Sequence, residues 1–132
     1  MQIVINSDTL KLKEVEGFVD EAFTLYKLPR EFFHNILLCV KEAVTNSIIH
    51  GNNSDVNKKV TVKITRCHDN IVVKVMDEGA GFDFEKVKDP TDNDNIMEES
   101  GRGIFLIRKL CDELEFQGNG KIIEFKIALD GE

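Results

Sequence analysis

No stretch of this 132-residue chain comes near the ~20 consecutive apolar residues that a membrane-spanning helix requires. Nor does the N-terminus, Met1-Gln2-Ile3-Val4-Ile5-Asn6-Ser7-Asp8, carry the basic region and apolar core of a secretory signal. Cysteine is scarce. Cys39, Cys67 and Cys111 are odd in number, far apart and without a CxxC pair, which speaks against a disulfide framework or a zinc site. Cys39 and Cys111 sit in apolar helical contexts, where a free thiol acts as a small hydrophobe. An excess of basic charge is also lacking. The net charge of −7 argues against a nucleic-acid surface and against anionic membranes. An anionic ligand would therefore depend on a local cation or on oriented backbone amides. Internal repeats and low-complexity segments are absent too. What is left, 42% apolar and 31% charged residues, suits an ordinary globular protein. The expectation is one domain over residues 1–132, with a real core, in the cytoplasm.

Along the chain, residues 2–5 read as a strand, and Ser7 or Asp8 can cap the helix that follows. Leu12, Val15, Phe18, Val19, Ala22, Phe23 and Tyr26 recur at helical spacing. Leu28-Pro29-Arg30 breaks that helix and suits entry to a second one, from about residue 30 to His50, with Gly51 as C-terminal cap. Asn52-Asn53-Ser54-Asp55 reads as a loop. Two strands follow: Val60, Val62 and Ile64 alternate with polar residues, and Ile71-Val72-Val73-Lys74-Val75-Met76 comes after a turn. Residues 77–82 are a glycine-rich turn, and the polar stretch from Asp83 to Ser100 reads as a long loop, a kind usually functional or disordered. An amphipathic helix after Gly101 precedes strands at about 113–117 and 121–129, joined by the hairpin signal Gly118-Asn119-Gly120. The order β-α-α-β-β-loop-α-β-β predicts an α+β fold with a mostly antiparallel sheet and helices on one face.

Inside the second helical stretch, Glu42, Asn46 and His50 follow one another at four-residue intervals. Phe33, Ile36, Leu37, Val40, Val44 and Ser47 share one stripe of that helix, and Glu42 lies opposite. Leu38 and Ile49 flank Glu42, so the second side is no plain solvent face. A carboxylate and a carboxamide in such a setting offer a base and hard oxygen ligands for a divalent cation. The ordinary alternative is a two-sided helix with solvated polar positions.

Two glycine segments carry further chemistry. Asp77-Glu78-Gly79-Ala80-Gly81-Phe82 follows a buried-looking strand directly. Glycines there let the backbone turn sharply and approach a ligand, and Asp77 can accept a hydrogen bond from an exocyclic amine such as adenine's. Gly101-Arg102-Gly103 opens the third helix, where exposed amides and the helix dipole suit a phosphate and Arg102 adds a charged fork. Each segment alone is more simply read as a capping turn or a flexible helix entry.

Taken together, and in this order, these residues resemble the GHKL (histidine-kinase-like) ATPase superfamily. They are most similar to bacterial anti-sigma factor serine/threonine kinases. The resemblance rests on Glu42-Ala43-Val44-Thr45-Asn46 with His50-Gly51, on the Asp77–Phe82 segment, and on Ser100-Gly101-Arg102-Gly103-Ile104, and it covers nearly the whole chain. It implies a two-layer α/β sandwich of the histidine-kinase-like ATPase type that binds ATP and Mg²⁺. Asn46 would ligate Mg²⁺, and Glu42 would be the catalytic base toward a serine or threonine hydroxyl. Asp77 would accept the adenine amino group, Gly79 and Gly81 would make room for the base, and Gly101, Arg102 and Gly103 would hold the phosphates. A lid would occupy about residues 83–100. His50 is either a pocket residue or a helix-end histidine favoured by the dipole.

The implied function is transfer of the ATP γ-phosphate to an anti-sigma factor antagonist, with the same surface sequestering a sigma factor. Two alternatives stand beside it: a nucleotide-gated protein-binding switch without kinase activity, and a histidine-kinase-type ATPase domain working in trans. Relatives commonly form homodimers. Two departures from the pattern are visible. Many relatives have a Gly-Thr pair in the final hairpin, where this chain has Gly120 followed by Lys121-Ile122-Ile123. The lid is acidic (Asp83, Glu85, Asp89, Asp92, Asp94, Glu98 and Glu99) and poor in glycine. Phosphoacceptor-histidine and dimerisation helices do not precede the domain, which speaks against a complete sensor histidine kinase.

Overall fold

Alternation of apolar and polar residues in the strands dictates a sheet with one buried face. The computed structural model describes residues 1–79, 99–118 and 120–129, with the backbone alone for 99–102. Its strands are β1 (Gln2–Asn6), β2 (Lys59–Cys67), β3 (Asn70–Met76), β4 (Glu113–Gln117) and β5 (Ile122–Ala128). They form one sheet in the order β1-β2-β3-β5-β4, and each neighbouring pair is antiparallel. Register aligns Ile5 with Val60, Val62 with Val75, Ile64 with Val73, and Val73 with Phe125. All of these are buried. Their neighbours along each strand, such as Lys63, Lys74 and Lys126, belong to the other face. A Lys74–Glu124 ion pair of 3.6 Å and a Lys126–Glu113 contact of 2.6 Å cross between strands there.

Three helices cover the apolar face: α1 (Leu12–Leu25), α2 (Phe33–Asn46) and α3 (Glu99–Leu110). Asp8 caps the first, its carboxylate accepting from the Leu10 N–H at 2.9 Å as a 3-10 turn, Thr9–Lys11, leads into α1. The α1 stripe of Val15, Phe18, Val19, Ala22 and Phe23 is buried. That helix stops where Lys27 takes φ 53° and the Leu28 N–H reaches back to the Phe23 carbonyl at 3.0 Å. From α2, Ile36, Cys39, Val40, Ala43 and Val44 complete the core, with Ile104 and Ile107 from α3. Each fully buried Val, Ile or Phe contributes about 1.5–3 kcal/mol relative to exposure, and this shared core holds the helices to the sheet. The α+β class, the mostly antiparallel sheet and the helices on one face agree with the sequence reading.

Three local expectations are corrected. The second helix runs unbroken from Arg30 to Gly51 but is α-helical only over Phe33–Asn46. A 3-10 turn, Arg30–Phe32, enters it, and a π-helical turn, Ser47–Gly51, ends it. Gly51 is not a left-handed cap, because positive φ falls instead on Asn53 (52°) and Ser54 (57°). Gly101 does not open the third helix, because α3 already begins at Glu99. The Gly118–Gly120 hairpin is as expected, with φ of 60° and 88° at the two glycines; Asn119 and most of the expected lid, up to residue 98, lie outside the described residues.

Candidate functional site

The site begins on α2. Asn46, the last residue of that helix, is 3% exposed. Its carboxamide Nδ2 donates to the Glu42 carbonyl oxygen at 2.9 Å. Its Oδ1 is buried and accepts no hydrogen bond from the described residues. A buried acceptor without a partner costs about 1–3 kcal/mol, so an oxygen held this way suits an electrophile brought by a ligand. Glu42, one turn earlier, is half-buried. A Cβ built on Gly103 of α3 would lie 2.7 Å from Glu42 Oε2 and 3.0 Å from Asn46 Nδ2. The fold thus brings Glu42, Asn46 and Gly103 together across the α2–α3 contact, where a larger residue at 103 would press on the Glu42 carboxylate.

The first four amides of a helix lack intrahelical partners. α3 begins at Glu99, so Gly101 falls in its first turn, at a positive helix end where amides lack intrahelical partners. Gly103, two residues further along α3, lies at the close contact with α2.

After Asn46 the chain passes into the π-turn. The Asn52 N–H bonds to the Ser47 carbonyl at 2.8 Å, five residues back. Such turns insert one residue and recur at functional sites. Half-buried His50 rides on this turn, and Ile49, expected to flank Glu42, is 37% exposed. Gly51, at the turn's end, is buried against Asp77 of the β3 exit. A Cβ on Gly51 would collide with the Asp77 carboxylate, and a Cβ on Gly79 would collide with the Gly51 carbonyl oxygen. Both glycines are therefore there for close approach.

Asp77 donates its N–H to the Lys121 carbonyl at 2.9 Å, beside the β4–β5 hairpin. Its carboxylate accepts from the Gly79 N–H at 2.9 Å. Burial pushes the Asp77 carboxyl above its ordinary pKa, outweighing that hydrogen bond and the nearby Lys121 and Lys58. A desolvated acceptor at the end of the central strand is suited to a ligand N–H. Gly81 lies outside the described residues.

Cys39, on the buried side of α2, is inert. Desolvation, with smaller contributions from Cys111 and Glu42, pushes its thiol up to about 12. Among the described residues no group of three metal-ligating side chains forms, so a cation here would depend on few protein ligands. No helix among them is long and apolar enough to cross a membrane.

Sequence reasoning missed Asn52, which is 0% exposed. Its Nδ2 donates to Ser7 Oγ at 2.7 Å and to the Lys59 carbonyl at 3.0 Å, and its Oδ1 accepts from the Glu78 N–H at 2.9 Å. Nothing in the sequence separates it from its exposed neighbour Asn53.

Comparison with known proteins agrees with this geometry. The family model for the histidine kinase-like ATPase domain matches residues 5–127. The serine-protein kinase RsbW of Bacillus subtilis is 30% identical over 105 residues, covering 74% of this chain and 66% of that protein. An anti-sigma F factor of Clostridium perfringens is 36% identical over 83 residues, 61% of this chain and 59% of that protein. The chain thus spans slightly less than two thirds of the length of these curated relatives. A crystal structure of the RsbU and RsbW domains of a Mycobacterium tuberculosis protein superposes with a TM-score of 0.63 at 15% identity, covering 96% of this chain and 30% of that one, which speaks for the fold alone. With the helix, turn and glycine segments in the positions described, the chain belongs to the histidine kinase-like ATPase domain family.

Proposed function

We propose that this protein binds Mg·ATP and transfers the γ-phosphate to a serine or threonine of an anti-sigma factor antagonist, and that it sequesters a sigma factor. The reading takes residues 1–132 as one nucleotide-binding domain with its lid within 83–100, in a cytoplasmic setting and open to homodimer formation. The observation that carries it is the Asn46 carboxamide. Its nitrogen is committed to the Glu42 carbonyl, and its buried oxygen is left over for a ligand. A hard oxygen beside a carboxylate and a helix N-terminus fits Mg²⁺ on a polyphosphate. The names of the relatives, a serine-protein kinase and an anti-sigma factor, support the direction of transfer and the class of partner.

In this reading Asn46 Oδ1 holds the metal, which supplies charge neutralisation to phosphates facing a chain of net charge −7. Gly101, Arg102 and Gly103, at the start of α3, hold the phosphates. Asp77 accepts the adenine amino group, and Gly79 and Gly81 keep the base edge clear. Glu42 takes the proton of the attacking hydroxyl as its oxygen bonds to the γ-phosphorus and the bond to the β-phosphate bridging oxygen breaks, leaving ADP.

The test is phosphotransfer from labelled ATP, with Mg²⁺, to an antagonist protein encoded nearby. Wild-type protein is expected to transfer label, and Glu42→Ala to lose transfer by a factor of ~10² or more while still binding ATP. Equal transfer by both would remove Glu42 from the base role. ATP binding with no transfer by wild type would replace the kinase with the nucleotide-gated switch.

A further inference from the structure

Three residues distant in sequence close a ring of hydrogen bonds behind the Asp77 turn. Asn52 Oδ1 accepts from the Glu78 N–H, Asn52 Nδ2 donates to the Lys59 carbonyl, and the Lys59 N–H donates in turn to Glu78 Oε1. A fourth contact ties Asn52 Nδ2 to Ser7 Oγ, itself bonded to the Lys58 carbonyl at 2.8 Å. Through its own backbone N–H, Asn52 closes the π-turn onto Ser47, the residue after Asn46. Side-chain amides seldom sit fully buried, and here every polar atom of the carboxamide has a partner.

We propose that Asn52 is a positioning residue for base recognition. It locks the Asp77-Glu78-Gly79 turn to the end of the helix that bears Asn46, and so sets where the Asp77 carboxylate meets the base. The inference rests on the nucleotide reading above. Asn52 itself touches no substrate; it acts through the Glu78 peptide, one residue beyond Asp77. If the turn relaxes, Gly79 and Gly51 no longer hold their close approach, and the acceptor drifts from the amino group it selects. Adenine offers an N–H₂ at that edge and guanine a carbonyl, so the loss falls on discrimination between them.

The experiment compares Asn52→Ala, Asn52→Asp and Ser7→Ala with the wild type. Calorimetry measures ATP, GTP and Mg²⁺-tripolyphosphate binding, with melting temperature alongside and Glu78 amide exchange by NMR in the ligand-free protein. Asn52→Ala is expected to weaken ATP about tenfold, near the cost of one lost hydrogen bond. GTP and tripolyphosphate should stay within about threefold, and Glu78 amide exchange should accelerate. Ser7→Ala breaks only the outer leg, so it should lower the melting temperature while keeping the ATP-to-GTP ratio. Asn52→Asp keeps an acceptor for the Glu78 N–H but loses both donors and sets a carboxylate oxygen against the Lys59 carbonyl, so it too should speed Glu78 exchange and lower the ratio, which decides the matter if the alanine variant does not fold. An unchanged ratio in a folded Asn52→Ala protein overturns the proposal, as does a ratio lost equally in Ser7→Ala or, where only Asn52→Asp folds, an unchanged ratio there. Failure of the wild type to bind ATP at all sinks the nucleotide reading and base recognition with it. Amide exchange, needing no ligand, would then report separately whether Asn52 holds the turn.

Discussion

Gly103→Ala places a methyl group where α3 crosses α2, and it should nearly spare stability while impairing the chemistry. The new Cβ would stand 2.7 Å from Glu42 Oε2 and 3.0 Å from Asn46 Nδ2, with Glu42 Cβ at an ordinary 3.7 Å. The first contact is about 0.8 Å short of the ~3.5 Å at which non-bonded atoms rest, so the Glu42 carboxylate must move. It is the far end of a flexible side chain, and turning it off its rotamer costs about 0.5–1.5 kcal/mol. Gly103 is the fifth residue of α3, where alanine stabilises a helix by about 0.5–1 kcal/mol over glycine. The two nearly cancel, so stability should stay within about 1 kcal/mol, or ~4 °C in Tm for a domain of this size. Catalysis has no such offset. A base displaced by nearly an ångström loses about 10² in rate, and pressure on the Asn46 amide should also weaken Mg·ATP binding. The assays are thermal denaturation, ATP calorimetry with and without Mg²⁺, and phosphotransfer. A variant that transfers phosphate like wild type, or one that simply unfolds, would refute the reasoning.

Gly79→Ala should behave differently, because its Cβ meets the backbone oxygen of Gly51 and no side chain can turn aside; urea denaturation should register a loss of about 2 kcal/mol or more, and a loss under ~0.5 kcal/mol would contradict the packing. Asp77→Asn tests the desolvated carboxyl. The native carboxyl has a pKa above 3.8, so its contribution to stability is whole below 3.8 and is lost as pH rises through the raised native value. At neutral pH the ionised group therefore costs stability. The asparagine variant should melt higher than wild type at pH 7, and the gap should close on acidification, while ATP affinity falls about tenfold with the loss of a charged acceptor. A gap that widens in acid would reverse the assigned sign.

Much of this fold was legible one residue at a time. Period-two alternation in Val60–Ile64 and the apolar repeat of Val15, Phe18, Val19 and Ala22 are local signals, and they placed the strands and helices to within a few residues. The glycines before Phe82 and at 101–103 marked the site for the same reason: close approach of backbone to a neighbour or ligand leaves a mark in composition. Glu42 and Asn46 were visible as polar groups out of place in an apolar helix. What a single residue type contributes to the site could be read; what it packs against could not.

Tertiary structure decided the rest. Gly51 looked like an ordinary helix cap, yet its missing side chain answers to Asp77, a contact across 26 positions. Asn52 looked like loop, yet it is fully buried because Ser7 and Glu78, 45 residues before it and 26 after it, come to meet it. The π-turn from Ser47 to Gly51 has no sequence period of its own, and it delivers Gly51 against Asp77 at the β3 exit. Sequence by itself determined the elements, the buried faces and the types of group at the site, since those follow from periodicity and side-chain chemistry within a few residues. Which groups share a hydrogen bond or a collision radius depended on the sheet order β1-β2-β3-β5-β4 and on α3 lying against α2. Those are properties of the closed chain, where loop closure and core packing act over distances that no local pattern records.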